Sequence, residues 1–122
     1  MSLIDEIKEF ERTHELGIRR ILNKNYKQTG KGSILIMKHP ETVGIYKIGL
    51  TNTKRYDLLV NKGCYNINDR KKCLYMVHYY LKYFQPLDFN HPEIGTELNW
   101  YDISFGRVCS IIQYIREEYE FV

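Results

Sequence analysis

Two short apolar runs, Ser33-Ile34-Leu35-Ile36-Met37 and Val43-Gly44-Ile45-Tyr46-Lys47-Ile48, lie on either side of the turn-like His39-Pro40-Glu41-Thr42. This arrangement constrains the fold more than any other feature of the chain. Both runs have strand length and strand-type side chains. A connector this short joins two strands only as an antiparallel hairpin.

The remaining elements are read around that hairpin. Ser2 caps a helix that begins at Leu3, with Asp5 in the capping-box position. Leu3, Ile7, Phe10 and His14, then Ile18, Ile21 and Leu22, continue at helical spacing, with Gly17 as a break or kink. Residues 23–31 read as a loop, Thr53 to Val60 as a short helix, and Asn61 to Asn68 as a loop because of Gly63 and the asparagines. Asn68 caps a long helix from Asp69 to about Phe84, with Leu74, Val77, His78, Leu81 and Phe84 on one face and Pro86 as its stop. Leu87 to Glu97 reads as loop and Trp100 to Ser104 as a third strand. A last helix, Phe105 to Glu120, buries Val108, Ile111, Ile112, Ile115 and Tyr119. The expected order is α-β-β-α-α-β-α: an α+β domain with a small three-stranded, mostly antiparallel sheet flanked by helices.

The 122 residues suit one domain, with 43% apolar and 27% charged residues, which is the globular range. Within it, 1–25 reads as an N-terminal helical arm, 32–105 as the core and 105–121 as the C-terminal helix. No apolar run approaches the ~18 residues of a membrane span, and the acidic, amphipathic N-terminus is unlike a secretory signal. An intracellular protein with no membrane partner is expected. Cys64, Cys73 and Cys109 are odd in number and widely spaced, which argues against a disulfide framework or a zinc ribbon. They read as reduced thiols, with Cys109 in a core.

The net charge of +3 conceals an uneven distribution. Residues 19–72 hold thirteen Lys and Arg against Glu41, Asp57 and Asp69, whereas the segments on either side are net acidic. Basic residues gathered in one part of a domain are an electrostatic footprint for a polyanion. Within that block, Gly44 to Arg55 reads as a strand that turns through Gly49 and Thr51-Asn52 into a helix carrying Lys54-Arg55. Such a unit presents a cation to a phosphate.

Three passages in order resemble the GIY-YIG endonuclease superfamily, in its compact branch common in phages and large DNA viruses. Gly32 to Met37 (GSILIM) sits where that family has its first motif strand. Tyr46-Lys47-Ile48-Gly49, with Thr51 and Arg55 after it, looks like the second. Gly95 to Ser104 (GTELNWYDIS) looks like the closing strand. Gly44-Ile45-Tyr46 spells GIY literally, but the family's two half-motifs lie on neighbouring strands about ten residues apart. The literal match therefore falls within the second strand. The resemblance implies cleavage of nucleic-acid phosphodiesters by a water-activating tyrosine, a second tyrosine and an arginine at the phosphate, and a glutamate-held Mg²⁺ or Mn²⁺.

Carried over by position, Tyr46 and Arg55 match the second tyrosine and the arginine, with Lys54 an alternative to Arg55. The first tyrosine position is Leu35, which has no proton to trade. The long helix, DRKKCLYMVHYYLKYF, has no glutamate, and Glu97 is the nearest replacement carboxylate. The expectation is thus a nucleic-acid-binding domain with an incomplete catalytic set. It would contact DNA or RNA through Lys47, Lys54, Arg55, Arg70, Lys71 and Lys72. An active metal-dependent endonuclease and a viral module that binds a host or self protein are the two alternatives. His78 reads as a hydrogen-bonded core histidine, Trp100-Tyr101 as core anchors, and the tyrosines of the long helix as packing groups or base-stacking platforms.

Overall fold

The computed structural model describes residues 2–27, 30, 32–39, 41–50, 60–67, 69–89 and 100–121, and for Ser33, Leu50 and 60–67 the backbone alone. Its elements are α1 (Leu3–Thr13), α2 (Glu15–Asn23), β1 (Gly32–Lys38), β2 (Ile45–Leu50), β3 (Val60–Ile67), α3 (Arg70–Phe84), β4 (Trp100–Asp102) and α4 (Phe105–Glu118). The fold is α+β, with a small antiparallel sheet flanked by helices.

The expected hairpin is present. β1 pairs antiparallel with β2, Ile36 opposite Ile48 and Lys38 opposite Tyr46. Gly44 turns the chain into β2 at φ +86°, a conformation that suits a residue without a Cβ. The His39 ring supports the same connector, its Nδ1 accepting the backbone N–H groups of Glu41 (3.2 Å) and Thr42 (3.0 Å).

The sheet has four strands rather than three, in the order β3-β1-β2-β4. The additional strand is β3, where the sequence predicts a loop over 61–67 and the end of a helix at Val60. Its sequence, VNKGCYNI, carries turn-type residues, but its backbone pairs along the whole of β1, with a register shift at Ile36/Met37. Pairing to a central strand overrides local preference here. Residues 53–59 of the expected helix lie outside the described residues.

The N-terminal helical stretch breaks at His14, not at Gly17. The Thr13 hydroxyl donates to the Phe10 carbonyl (3.1 Å) and the His14 Nδ1 also lies 3.0 Å from it, so side chains compete for the carbonyl that ends α1. Gly17 sits inside α2 and faces Tyr79. The predicted capping box of Ser2 and Asp5 is formed. Asp69, and not Asn68, caps α3, accepting the Lys72 backbone N–H at 3.3 Å.

One main core joins the helices to one face of the sheet. It contains Ile7 and Phe10 of α1, Ile18 of α2, Ile34 and Ile36 of β1, Ile48 of β2 and Tyr101 of β4, so the segment read as an arm contributes to it. The buried side of α3 is Cys73, Met76, Val77, Tyr80 and Leu81, a stripe rotated from the expected one. Cys73 is the core thiol; Cys109 is only partly buried. α4 buries Val108, Ile111, Ile112 and Ile115 as expected. It ends in a Schellman turn, with Glu120 at φ 57° and the Phe121 N–H reaching the Arg116 carbonyl at 2.9 Å. On the other face of the sheet, Ile45, Trp100 and Phe89 form a small separate cluster.

Candidate nucleic-acid interface

Side-chain alternation along β2 determines what its motif residues can reach. Tyr46, in register with Lys38 and Tyr101, lies on the helix-covered face, its ring 5.8 Å from that of Phe105. Lys47 follows it and therefore points to the opposite face. There its Nζ stands 5.6 Å from the centre of the Trp100 ring. Leu35 is in register with Gly49, on the side of the sheet that carries Lys47, and is only 3% exposed. Tyr46 and the first-strand position are thus separated by the thickness of the sheet.

Arg70, Lys71 and Lys72 form the first turn of α3. The Arg70 N–H bonds the Gly30 carbonyl at 3.3 Å, and its side chain runs so close to Gly32 that a Cβ there would stand 2.8 Å from Arg70 Cδ. The Lys71 Nζ lies 5.8 Å from the centre of the Tyr75 ring. Cations at a helix N-terminus oppose the macrodipole, an arrangement that a bound anion relieves. Lys54, Arg55 and Glu97, with Thr51 and Asn52, lie outside the described residues.

No group of three or more His, Cys, Asp or Glu among the described residues is placed to hold a metal ion.

The structure brings together a set of groups that the sequence reading did not join. The chain leaving α2 lays Tyr26 on Tyr75 of α3, with ring centroids 5.0 Å apart and planes 27° from parallel. Lys24 Nζ is 5.6 Å from the Tyr26 ring. Lys71 stands near Tyr75 in the same way, so each ring of the pair has an ammonium 5.6 or 5.8 Å from its centre. A cleft of about 310 Å³ opens beside it, lined by those two tyrosines and Lys24 together with Ile21, His78, Tyr79 and Lys82. The ion pairs Arg12–Glu9, Arg19–Glu15 and Arg107–Glu6 do not engage Lys24, Lys71 or Lys82. Burial, then the neighbouring Tyr75 and Asp69, raises the Tyr26 phenol above its ordinary value, so it stays neutral.

His78 forms part of the cleft wall. Its Nδ1 lies 2.5 Å from the Tyr101 hydroxyl and its ring is stacked on that tyrosine at 5.6 Å. Burial, reinforced by the Lys82 charge, lowers its pKa to about 4. At neutral pH it is an uncharged, hydrogen-bonded histidine, as expected.

The signal for this site in the sequence was the basic block at 19–72, which contains Lys24, Tyr26 and Lys71, together with the tyrosines of the long helix. Their meeting across α2 and α3 is a tertiary contact with no sequence spacing of its own. No protein-family model, no curated protein and no solved structure matches this chain. No helix among the described residues is long and apolar enough to cross a membrane.

Proposed function

We propose that this chain is an intracellular nucleic-acid-binding domain that grips its ligand on the α2–α3 side and does not cleave it. The observation that carries the reading is the group Lys24, Tyr26, Tyr75 and Lys71, two stacked rings each with an ammonium near it, with Lys24, Tyr26 and Lys71 drawn from the one strongly basic part of the sequence. Lysines supply the phosphate contacts and tyrosine faces accept bases, the two elements of non-specific nucleic-acid recognition. Arg70 and Lys72 extend the positive surface along the first turn of α3. Kinship with GIY-YIG nucleases belongs to the same proposal and rests on the sequence motifs. The placement of Tyr46 against Phe105, away from the Leu35 face, supports a protein that no longer cleaves.

The test is fluorescence anisotropy with labelled DNA and RNA oligonucleotides at low salt. Binding should weaken steeply as salt rises, and a Lys24→Ala/Lys71→Ala double variant should bind more weakly with a shallower salt slope. Absence of binding to any oligonucleotide at low salt overturns the reading. Nicking of plasmid in Mg²⁺ or Mn²⁺ that an Arg55→Ala substitution abolishes would restore the nuclease alternative.

One observation favours a protein partner. Leu87 is fully exposed beside a cleft of about 750 Å³ shared with Tyr83 and Phe84. If that surface pairs two copies, the mass in solution should rise with concentration and a Leu87→Glu substitution should prevent the rise.

A further inference from the structure

We infer that the nucleic acid held on the α2–α3 side is single-stranded, with one unpaired base seated in the cleft beside Tyr26 and Tyr75. This rests on the nucleic-acid reading and specifies its ligand.

The cleft is aromatic on its walls and cationic at Lys24 and Lys82, and its lining among the described residues includes no carboxylate. At about 310 Å³ it has the volume of a small ligand site. That suits a single planar ring with its sugar and is far smaller than a segment of double helix. Tyr75 is 43% exposed although its ring already lies on Tyr26. The pair is thus a preformed stack with accessible surface, and a base can extend it at little cost in ordering.

A duplex cannot use this arrangement. Its bases are stacked on one another, and it offers a protein phosphates and groove edges but no free ring face. An unpaired base presents its π-face, and the backbone on either side of it brings phosphates to the lysines. Lys24 and Lys71 lie over the stacked pair, and Lys82 lies one helical turn beyond His78, so cations are present on more than one side of the seated base. The neutral Tyr26 phenol and the uncharged His78 add no charge that would repel or compete for the strand.

The test compares oligonucleotides of about 12 nucleotides, within the ~4–16 nucleotide range of single-strand sites, as single-stranded DNA, single-stranded RNA and a blunt duplex of the same sequence. The single strands should bind at least about tenfold more tightly than the duplex at equal salt. Tyr75→Ala should weaken single-strand binding by about 5- to 150-fold and leave duplex binding nearly unchanged. Tyr75→Trp, which restores a ring face, should recover most of the loss. Unchanged urea midpoints for both variants would show that the fold is intact. Equal or tighter binding of the duplex overturns the inference. So does full affinity in Tyr75→Ala while Lys24→Ala/Lys71→Ala weakens binding, a result that leaves the broader nucleic-acid reading standing. If nothing binds at low salt, both fall together.

Discussion

The Tyr80 hydroxyl donates to Glu11 Oε2 across 2.7 Å and ties α3 to α1. Tyr119 reaches the same oxygen at 2.7 Å, Tyr114 reaches Oε1 at 2.7 Å, and the hydroxyls of Tyr80 and Tyr119 are 2.7 Å apart. One carboxylate on α1 therefore organises side chains from α3 and from α4 and its C-terminal turn. Burial raises all three phenols above their ordinary value, so they remain donors. Removing the acceptor leaves the hydroxyl of fully buried Tyr80 with the Tyr119 hydroxyl as its one remaining partner among the described residues. Glu11→Ala should cost about 2–4 kcal/mol in urea unfolding and Tyr80→Phe about 1–2 kcal/mol. The double variant should fall short of their sum, because the two changes remove the same bond.

A Cβ on Gly17 would stand 2.0 Å from the Tyr79 hydroxyl and 2.6 Å from its Cζ. Replacing glycine by alanine inside a helix ordinarily stabilises by ~1 kcal/mol. Here the Tyr79 ring would have to leave its place beside Phe10, 5.6 Å away between centroids. Gly17→Ala should therefore destabilise by about 1–2 kcal/mol, and adding Tyr79→Ala should reverse the sign of the Gly17 effect. Thermal unfolding of the four proteins in the cycle checks this.

Acid should weaken the fold through His78. Its pKa is lowered from 6.5 to about 4 in the folded protein, so the unfolded chain binds the proton more readily between those values. The stability it confers is complete above 6.5 and declines as pH falls through that window. The ceiling is on the order of 3 kcal/mol. Urea midpoints measured from neutral pH to about pH 4 should fall less steeply for His78→Gln than for the parent.

Cys73 is fully buried, and burial pushes its thiol up to about 12. In a Cys64→Ser/Cys109→Ser protein it should be inert to an aromatic disulfide reagent in the native state. It should react only at the rate of unfolding, and urea should accelerate labelling in step with the loss of helix signal.

The hairpin was legible because its connector is too short for any other pairing, and the α4 stripe because four aliphatic residues recur with helical period. β3 was not legible. Asn61, Gly63 and Asn66 carry the composition of a turn, and the strand exists because β1 offers it a full edge of backbone partners. On α3 the stripe was misplaced because Tyr80 is as polar by type as its exposed neighbours. It is buried because Glu11, on another helix, accepts its hydroxyl. The same limit held for the candidate interface. The basic block marked the right part of the chain, but the juxtaposition of Tyr26 with Tyr75 depends on how α2 packs on α3.

Lys47 and Tyr46 also bear on how the hairpin keeps its alignment. A one-residue slip of β2 along β1 would exchange their directions and drive the lysine inward beside Ile36 and Tyr101. An ammonium there would lose both its water and the Trp100 ring. Lys47 thereby penalises every odd misalignment of β1 and β2, acting as a folding checkpoint whether or not it ever touches a ligand.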